Sequence, residues 1–330
     1  MTQIAFVFPG QGSQFVGMGR ALAESSPAAA AVFAAADAAL GEPITRLAWE
    51  GPEADLNRTE NSQPALLAAS IAYLEAVRNR WAELDVDIPA PAFAAGHSMG
   101  QYTALVAAGA LDLADAVRLV RIRGQLMQSS GTGREGRMAA IIGLDDARLP
   151  ELVEQASAFG TFGVANRNSP GQVVVSGERA AVEAALGIAK TLGAKRALEL
   201  PVSVAAHSPL MAEAAAGMAT VLADITFRDP NPPLLANADA HLITTADACR
   251  MELIDHLTTG VDWVGAIQTM HARGVTTFIE VGPGRVLTGL IKRIEPDALA
   301  LALDDPAAAD RLAIPFAEAA AVDAASEPTA

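Results

Sequence analysis

The stretch "PAFAAGHSMGQYTALVAAGAL" constrains the fold more than any other part of the chain. A short apolar run ends at Gly96, a turn carries His97, Ser98 and Met99, and an Ala- and Leu-rich segment of helical period begins at Gly100. A strand that enters a helix through Gly-X-Ser-X-Gly sets the serine on a sharp turn, its hydroxyl exposed at the positive end of the helix. Similar apolar runs closed by Gly or Pro, "IAFVFPG", "PPLLANAD" and "TTFIEVGPG", alternate with helical periods over 63–81, 208–224 and 261–273. This alternation predicts an α/β fold with a mainly parallel sheet.

Residues 137–202 follow a different order, reading strand "MAAIIGL", helix "ARLPELVEQASAF", strands "GVANRN" and "QVVVSG", helix "RAAVEAALGIAKTL" and strand "RALELPV". That βαββαβ order is the ferredoxin-like unit, with "NSPG" as the turn between the central strands. We therefore expect a large domain from 1–132 and 203–302, a ferredoxin-like subdomain inserted at 133–202, and a C-terminal tail at 303–330 rich in Ala, Asp, Glu and Pro. At 330 residues and 51% hydrophobic, the chain has enough material for more than one packing unit.

The charge balance, 23 Lys+Arg against 38 Asp+Glu for a net −15, argues against a nucleic-acid partner. No apolar stretch is long enough to cross a membrane and the N-terminus lacks a secretion signal, so the protein is expected to be soluble. The single cysteine, Cys249, allows no internal disulfide, and no Cys/His set has zinc spacing. A reducing cytoplasm and a metal-free, cofactor-free site are expected.

Ser98 has two readings, a nucleophile or a small residue that fits a tight turn. As a nucleophile it needs a base, and the histidines are His97, His207, His241, His256 and His271. The side chain of His97 should project away from its neighbour, and His271 lies on a polar stretch of a helix. His207, in "LPVSVAAHSPLM", stands where the chain returns from the small unit to the large one, as either a base overhanging a cleft or a buried structural histidine. No acid is marked as a third triad member, which favours a Ser-His pair oriented by backbone carbonyls.

In "LADAVRLVRIRGQLMQ" the apolar line passes through Val120 and Met127, and Arg123 lies on or beside it. A buried guanidinium needs a carboxylate, supplied either by the protein as an internal ion pair or by a substrate held through two charge-assisted bonds.

Together "FPGQGSQ" (8–14), "NSQPALLAAS" (61–70), "GHSMG" (96–100), "RIRGQLMQ" (121–128), "NSPGQVVVSG" (168–177), His207 before "SPLM", and "EVGPGRVLTGLIKRI" (280–294) resemble the malonyl-CoA:acyl carrier protein transacylase family. The resemblance implies an α/β-hydrolase-like large domain with a ferredoxin-like insert. It implies transfer of malonyl from malonyl-CoA to the phosphopantetheine thiol of acyl carrier protein, for fatty acid or polyketide synthesis. By the same resemblance Ser98 is the nucleophile, His207 the base and Arg123 the carboxylate clamp, with the backbone N–H groups of Gln11 and Met99 as oxyanion hole. Gln63 would line the pocket, and Asn237 would help orient the base through its carbonyl. One departure stands out: where the family usually has Gln, "DHLTTGVDW" places His256. If the role of that position is to orient the base through its backbone carbonyl, the replacement is tolerable; if the side chain is needed, the site is altered and His256 becomes a competing base.

The alternatives are a hydrolase or proofreading thioesterase acting on acyl carriers, and a non-catalytic carrier-binding scaffold. The acidic chain needs a local basic patch to dock an acidic carrier, and Lys195-Arg196 and Lys292-Arg293 are the candidates. A monomer is expected.

Overall fold

The computed structural model describes residues 3–85, 90–130, 135–202, 204–305, 307, 308 and 310. Its strands are β1 (Gln3–Phe8), β2 (Phe93–Gly96), β3 (Gly136–Ile142), β4 (Phe162–Ser169), β5 (Gln172–Glu178), β6 (Arg196–Glu199), β7 (Leu234–Leu235), β8 (Leu242–Ile243), β9 (Val261–Asp262), β10 (Val275–Val281) and β11 (Leu299–Leu303). They form two sheets in a mixed α/β arrangement, one ordered β11-β10-β1-β2-β7-β8 and the other β6-β3-β5-β4-β9.

The larger sheet is parallel from β11 through β7, and only the short β8 pairs antiparallel. A parallel strand is covered on both faces, so β1 reads as a continuous apolar run. Ile4, Phe6 and Phe8 face a core shared with the helix Thr59–Glu83, while Ala5 and Val7 face the helices Trp263–Ala272 and Val286–Ile294. Because β1, β2 and β7 are parallel neighbours, the segments that follow them emerge side by side at one end of the sheet. Gln11, Ser98 and Asn237 all lie on those segments, in the crevice where open α/β sheets bind ligands.

In the smaller sheet β3, β4, β5 and β6 are antiparallel, joined by the helices Leu149–Ser157 and Arg179–Thr191 in the order expected from sequence. Its faces alternate with the period of two. Ala139, Ile141, Val173 and Val175 pack on these two helices, whereas Met138 and Val174 line the space between the sheets.

Three strands differ from the sequence expectation. β8 and β9 are each two residues long, too short to carry a periodicity signal. β9 comes from the segment after residue 203, yet it joins the edge of the smaller sheet beside β4, where Arg167 and Asp262 form an ion pair at 3.3 Å. β11 extends the larger sheet to Leu303, and the next residue, Asp304, pairs with Arg285 at 2.6 Å and accepts from the Tyr73 hydroxyl through its carbonyl. The start of the expected tail is therefore part of the fold, and its residues 311–330 lie outside the described residues. Among the described residues no helix is long and apolar enough to cross a membrane, and no group of three or more His, Cys, Asp or Glu side chains is placed to hold a metal.

Candidate active site

The site is built on the turn after β2. A Cβ on Gly96 would stand 1.9 Å from the carbonyl carbon of Gly100, and one on Gly100 would stand 2.3 Å from the Phe8 carbonyl oxygen. Only glycine permits that approach of strand and helix. Between them Ser98 is held at φ 53°, a left-handed conformation that a non-glycine residue keeps only when its surroundings enforce it. The enforcement is visible. Asn237 accepts the Ser98 N–H through Oδ1 at 2.8 Å and donates from Nδ2 to the Gly96 carbonyl at 3.0 Å. Gln101 accepts the Gly96 N–H at 3.0 Å and donates to the Leu235 carbonyl at 2.9 Å. Both side chains are buried, so these bonds act in a water-poor setting where losing one is costly.

The structure brings His207 to the serine. His207 Nε2 lies 2.8 Å from Ser98 Oγ, and its Nδ1 lies 2.7 Å from the His256 carbonyl oxygen. A carbonyl only accepts, so Nδ1 carries the proton and Nε2 presents its lone pair to the serine hydroxyl, the tautomer of a base. His207 also has a positive φ, 58°. Burial, and after it the nearby Arg123 cation, push its pKa down from 6.5 to about 3, so the ring is neutral at pH 7. The other histidines are engaged elsewhere: His97 with Asn168 at 2.9 Å, His241 with Asp239, and His271 with the Val275 carbonyl at 3.0 Å rather than with solvent alone.

Arg123 is 1% exposed. It donates from Nη1 to Gln63 Oε1 at 2.9 Å, and from Nη2 to Ser98 Oγ and His256 Nε2, both at 3.2 Å. Its Nε–H has no partner, and among the described residues no carboxylate forms an ion pair with it. The internal ion pair that the sequence left open is therefore absent from the described chain. Leaving a buried cation without an anion costs several kcal/mol, a cost that an incoming carboxylate would offset.

A cavity of about 560 Å³ opens over these groups between the two sheets. Gln11, Ser98, Met99, Arg123 and His207 line one side, and Met138, Asn166, Asn168, Val174 and Leu200 the other. Neither the Gln11 nor the Met99 backbone N–H has an acceptor among the described residues, which leaves two donors bordering the cavity near the serine.

Two expectations change. Gln63 is fully buried behind the guanidinium it holds and does not line the cavity. The Asn237 carbonyl accepts from Asp262 N–H at 2.6 Å and leaves His207 to the carbonyl of His256, so Asn237 orients the nucleophile turn through its side chain instead. One contributor escaped the sequence reading altogether. Glu252, on the helix Ala246–Asp255, accepts the Asn237 N–H at 2.7 Å and stands 3.9 Å from His256 Nδ1. Burial pushes its pKa up to about 7. Its only sequence signal is its place one helical turn before His256.

A serine hydroxyl facing a neutral histidine, with two backbone N–H groups that have no acceptor among the described residues bordering the same cavity, has the geometry of an acyl transferase or hydrolase site. A family described as acyl transferase domain matches residues 5–298. The chain is similar to the malonyl CoA-acyl carrier protein transacylase of Escherichia coli K12, at 48% identity over 308 residues, covering 93% of this chain and 98% of the relative. Among solved structures it resembles an acyl carrier protein S-malonyltransferase from Vibrio cholerae, at TM-score 0.89 and 43% identity over 94% of this chain and 100% of the other. It also resembles a malonyl-transacylase solved in complex with a type II polyketide acyl carrier protein, at TM-score 0.89 and 42% identity, covering 95% and 100%. The chain belongs to the malonyl-CoA:acyl carrier protein transacylase family.

Proposed function

We propose that this enzyme transfers malonyl from malonyl-CoA to the phosphopantetheine thiol of an acyl carrier protein through a malonyl-serine ester. His207 Nε2 takes the Ser98 proton as Oγ attacks the thioester carbonyl, and the oxyanion lies between the Gln11 and Met99 N–H groups. Collapse expels the CoA thiolate, which takes the proton from His207. The carrier thiol then gives its proton to His207 and attacks the ester, and collapse returns the Ser98 hydroxyl. Every catalytic group in this scheme belongs to the chain, and we assign no cofactor.

The observation that carries this reading is Arg123, a buried guanidinium 3.2 Å from Ser98 Oγ with no carboxylate partner among the described residues. A malonyl carboxylate supplies the missing anion. It also removes the second cause of the depressed His207 pKa, so the correct substrate strengthens the base as it binds. A neutral acyl group does neither, which weighs against a general thioesterase; a non-catalytic scaffold has no use for the Ser98–His207 contact.

We read the smaller sheet as the ferredoxin-like insert of an α/β-hydrolase-like domain, supported by its β6-β3-β5-β4 order and the strand-turn-helix at Ser98. For docking an acidic carrier, the two exposed basic pairs act as one patch. Arg196 pairs with Ile142, Ile142 with Gln172, and Gln172 accepts from Arg293 at 2.9 Å, which gathers Lys195, Arg196, Lys292 and Arg293 at one end of the sheet. A monomer in the cytoplasm fits a cleft completed by a single chain and a single, buried cysteine.

The test is intact-protein mass spectrometry after incubation with a panel of acyl-CoAs. A malonyl adduct is expected on the native protein and none on Ser98→Ala; an adduct that survives the substitution removes Ser98 from the mechanism.

A further inference from the structure

We propose that the His256 side chain is a positioning residue for the transfer: its Nε2 is the acceptor that keeps the Arg123 guanidinium turned toward the substrate carboxylate. The inference rests on the reading of Arg123 as the malonyl clamp.

The geometry forces the roles. A guanidinium only donates, so His256 Nε2, 3.2 Å from Arg123 Nη2, must offer a lone pair. The ring is then the neutral tautomer with its proton on Nδ1. Among the described residues that nitrogen has no hydrogen-bond partner, and it stands 3.9 Å from the Glu252 carboxyl group, the acidic group that faces the ring. From the other packed elements come Arg123 itself, the His207 ring at 6.1 Å, and the edge of Tyr102 at 6.1 Å between centroids. Burial and two cationic or titratable neighbours hold the fully buried ring in its uncharged form, the only form able to accept from Arg123.

The Nη2 group is shared between His256 Nε2 and Ser98 Oγ. Without the imidazole acceptor, Nη2 keeps only the serine oxygen, so the cation settles on the nucleophile and competes with the substrate carboxylate for orientation. The two services of His256 are separable. Its carbonyl holds His207 Nδ1 at 2.7 Å, and its backbone is fixed by the helix it ends, where its N–H donates to the Glu252 carbonyl at 3.1 Å. Replacing the ring therefore spares the support of the base.

The experiment compares rates of serine acylation by malonyl-CoA and acetyl-CoA in His256→Leu, His256→Gln and Arg123→Ala. His256→Leu is expected to lower malonyl loading roughly ten- to a hundredfold, the worth of one hydrogen bond to a charged group, and to lower acetyl loading by a smaller factor, so that the malonyl-to-acetyl ratio falls. His256→Gln, whose amide oxygen accepts at a similar reach, is expected to restore malonyl loading to within about threefold of the native enzyme. Equal loss of both substrates in His256→Leu, or no loss of either, overturns the inference. If Arg123→Ala spares malonyl loading, the clamp reading itself fails; if only His256→Leu spares it, the clamp stands and the role of His256 falls. Should His256→Leu not fold, nitrogen-15 spectra of the native protein decide: a protonated Nδ1 and bare Nε2 are expected at His256, and a protonated Nε2 overturns the assignment.

Discussion

Two buried ionisable side chains sit near the ends of parallel strands in this chain and meet opposite fates. Glu280, at the end of β10, is fully buried, and its carboxylate accepts from the Leu287 N–H, the Thr288 N–H and the Thr288 hydroxyl at 2.6–3.0 Å. It caps the helix Val286–Ile294, whose positive end favours the charge even as burial raises the pKa. Arg123, equally buried, finds an amide oxygen, a hydroxyl and a histidine nitrogen and, among the described residues, no anion. A charge satisfied within the chain serves the fold, and a charge left open in a cleft marks where a ligand binds.

The sharpest way to break this contrast is Arg123→Ala. Two charge-assisted bonds to a malonyl carboxylate are worth roughly 10²–10⁴ in acylation rate, so malonyl loading should fall by that factor while acetyl loading barely changes. Equal losses for both substrates in a mass-shift time course would remove the clamp. Glu280→Gln puts the complementary half to the test: unfolding stability in urea should drop by about 1–3 kcal/mol with the malonyl-to-acetyl preference intact. A changed preference would mean that Glu280 also serves the site.

Between these in character is His207. In the native protein His207 stays neutral down to about pH 3, whereas the unfolded chain takes up the proton near 6.5. Between those values the unfolded state binds more protons, so His207 contributes stability above pH 6.5 that is lost as pH falls toward 3. His97 and His256, also pushed down by burial, act in the same direction, while Glu252, raised from 4.5 to about 7, opposes them between those two values. Urea unfolding followed against pH should therefore show a shallower rise between about pH 3 and 6.5 in His207→Gln than in the native protein; identical slopes would place His207 in water. The smallest effect belongs to the surface. Charge reversal at Lys195-Arg196 or Lys292-Arg293 should raise KM for the carrier several-fold and leave KM for malonyl-CoA unchanged, as befits exposed steering charges. Steady-state kinetics with each substrate varied in turn separates the two.

The sequence by itself determined what depends on neighbours along the chain. The glycines around Ser98 specify a sharp strand-to-helix turn, and runs such as "IAFVF" and "VVV" announce strands because their periods and terminators are local. The motifs that carry the family resemblance named Ser98, His207 and Arg123 together. The two-residue strands β8 and β9, the pairing of β9 with the smaller sheet and the extension of the larger sheet by β11 were not legible, since each depends on a partner outside its own short run. The same reason hid Glu252 and the side-chain work of Asn237. Whether Arg123 was one half of an internal ion pair was beyond any local pattern, because the answer depends on which acids the whole fold brings within reach. Tertiary structure decided it by bringing a glutamine, a serine and a histidine to the guanidinium and, among the described residues, no carboxylate.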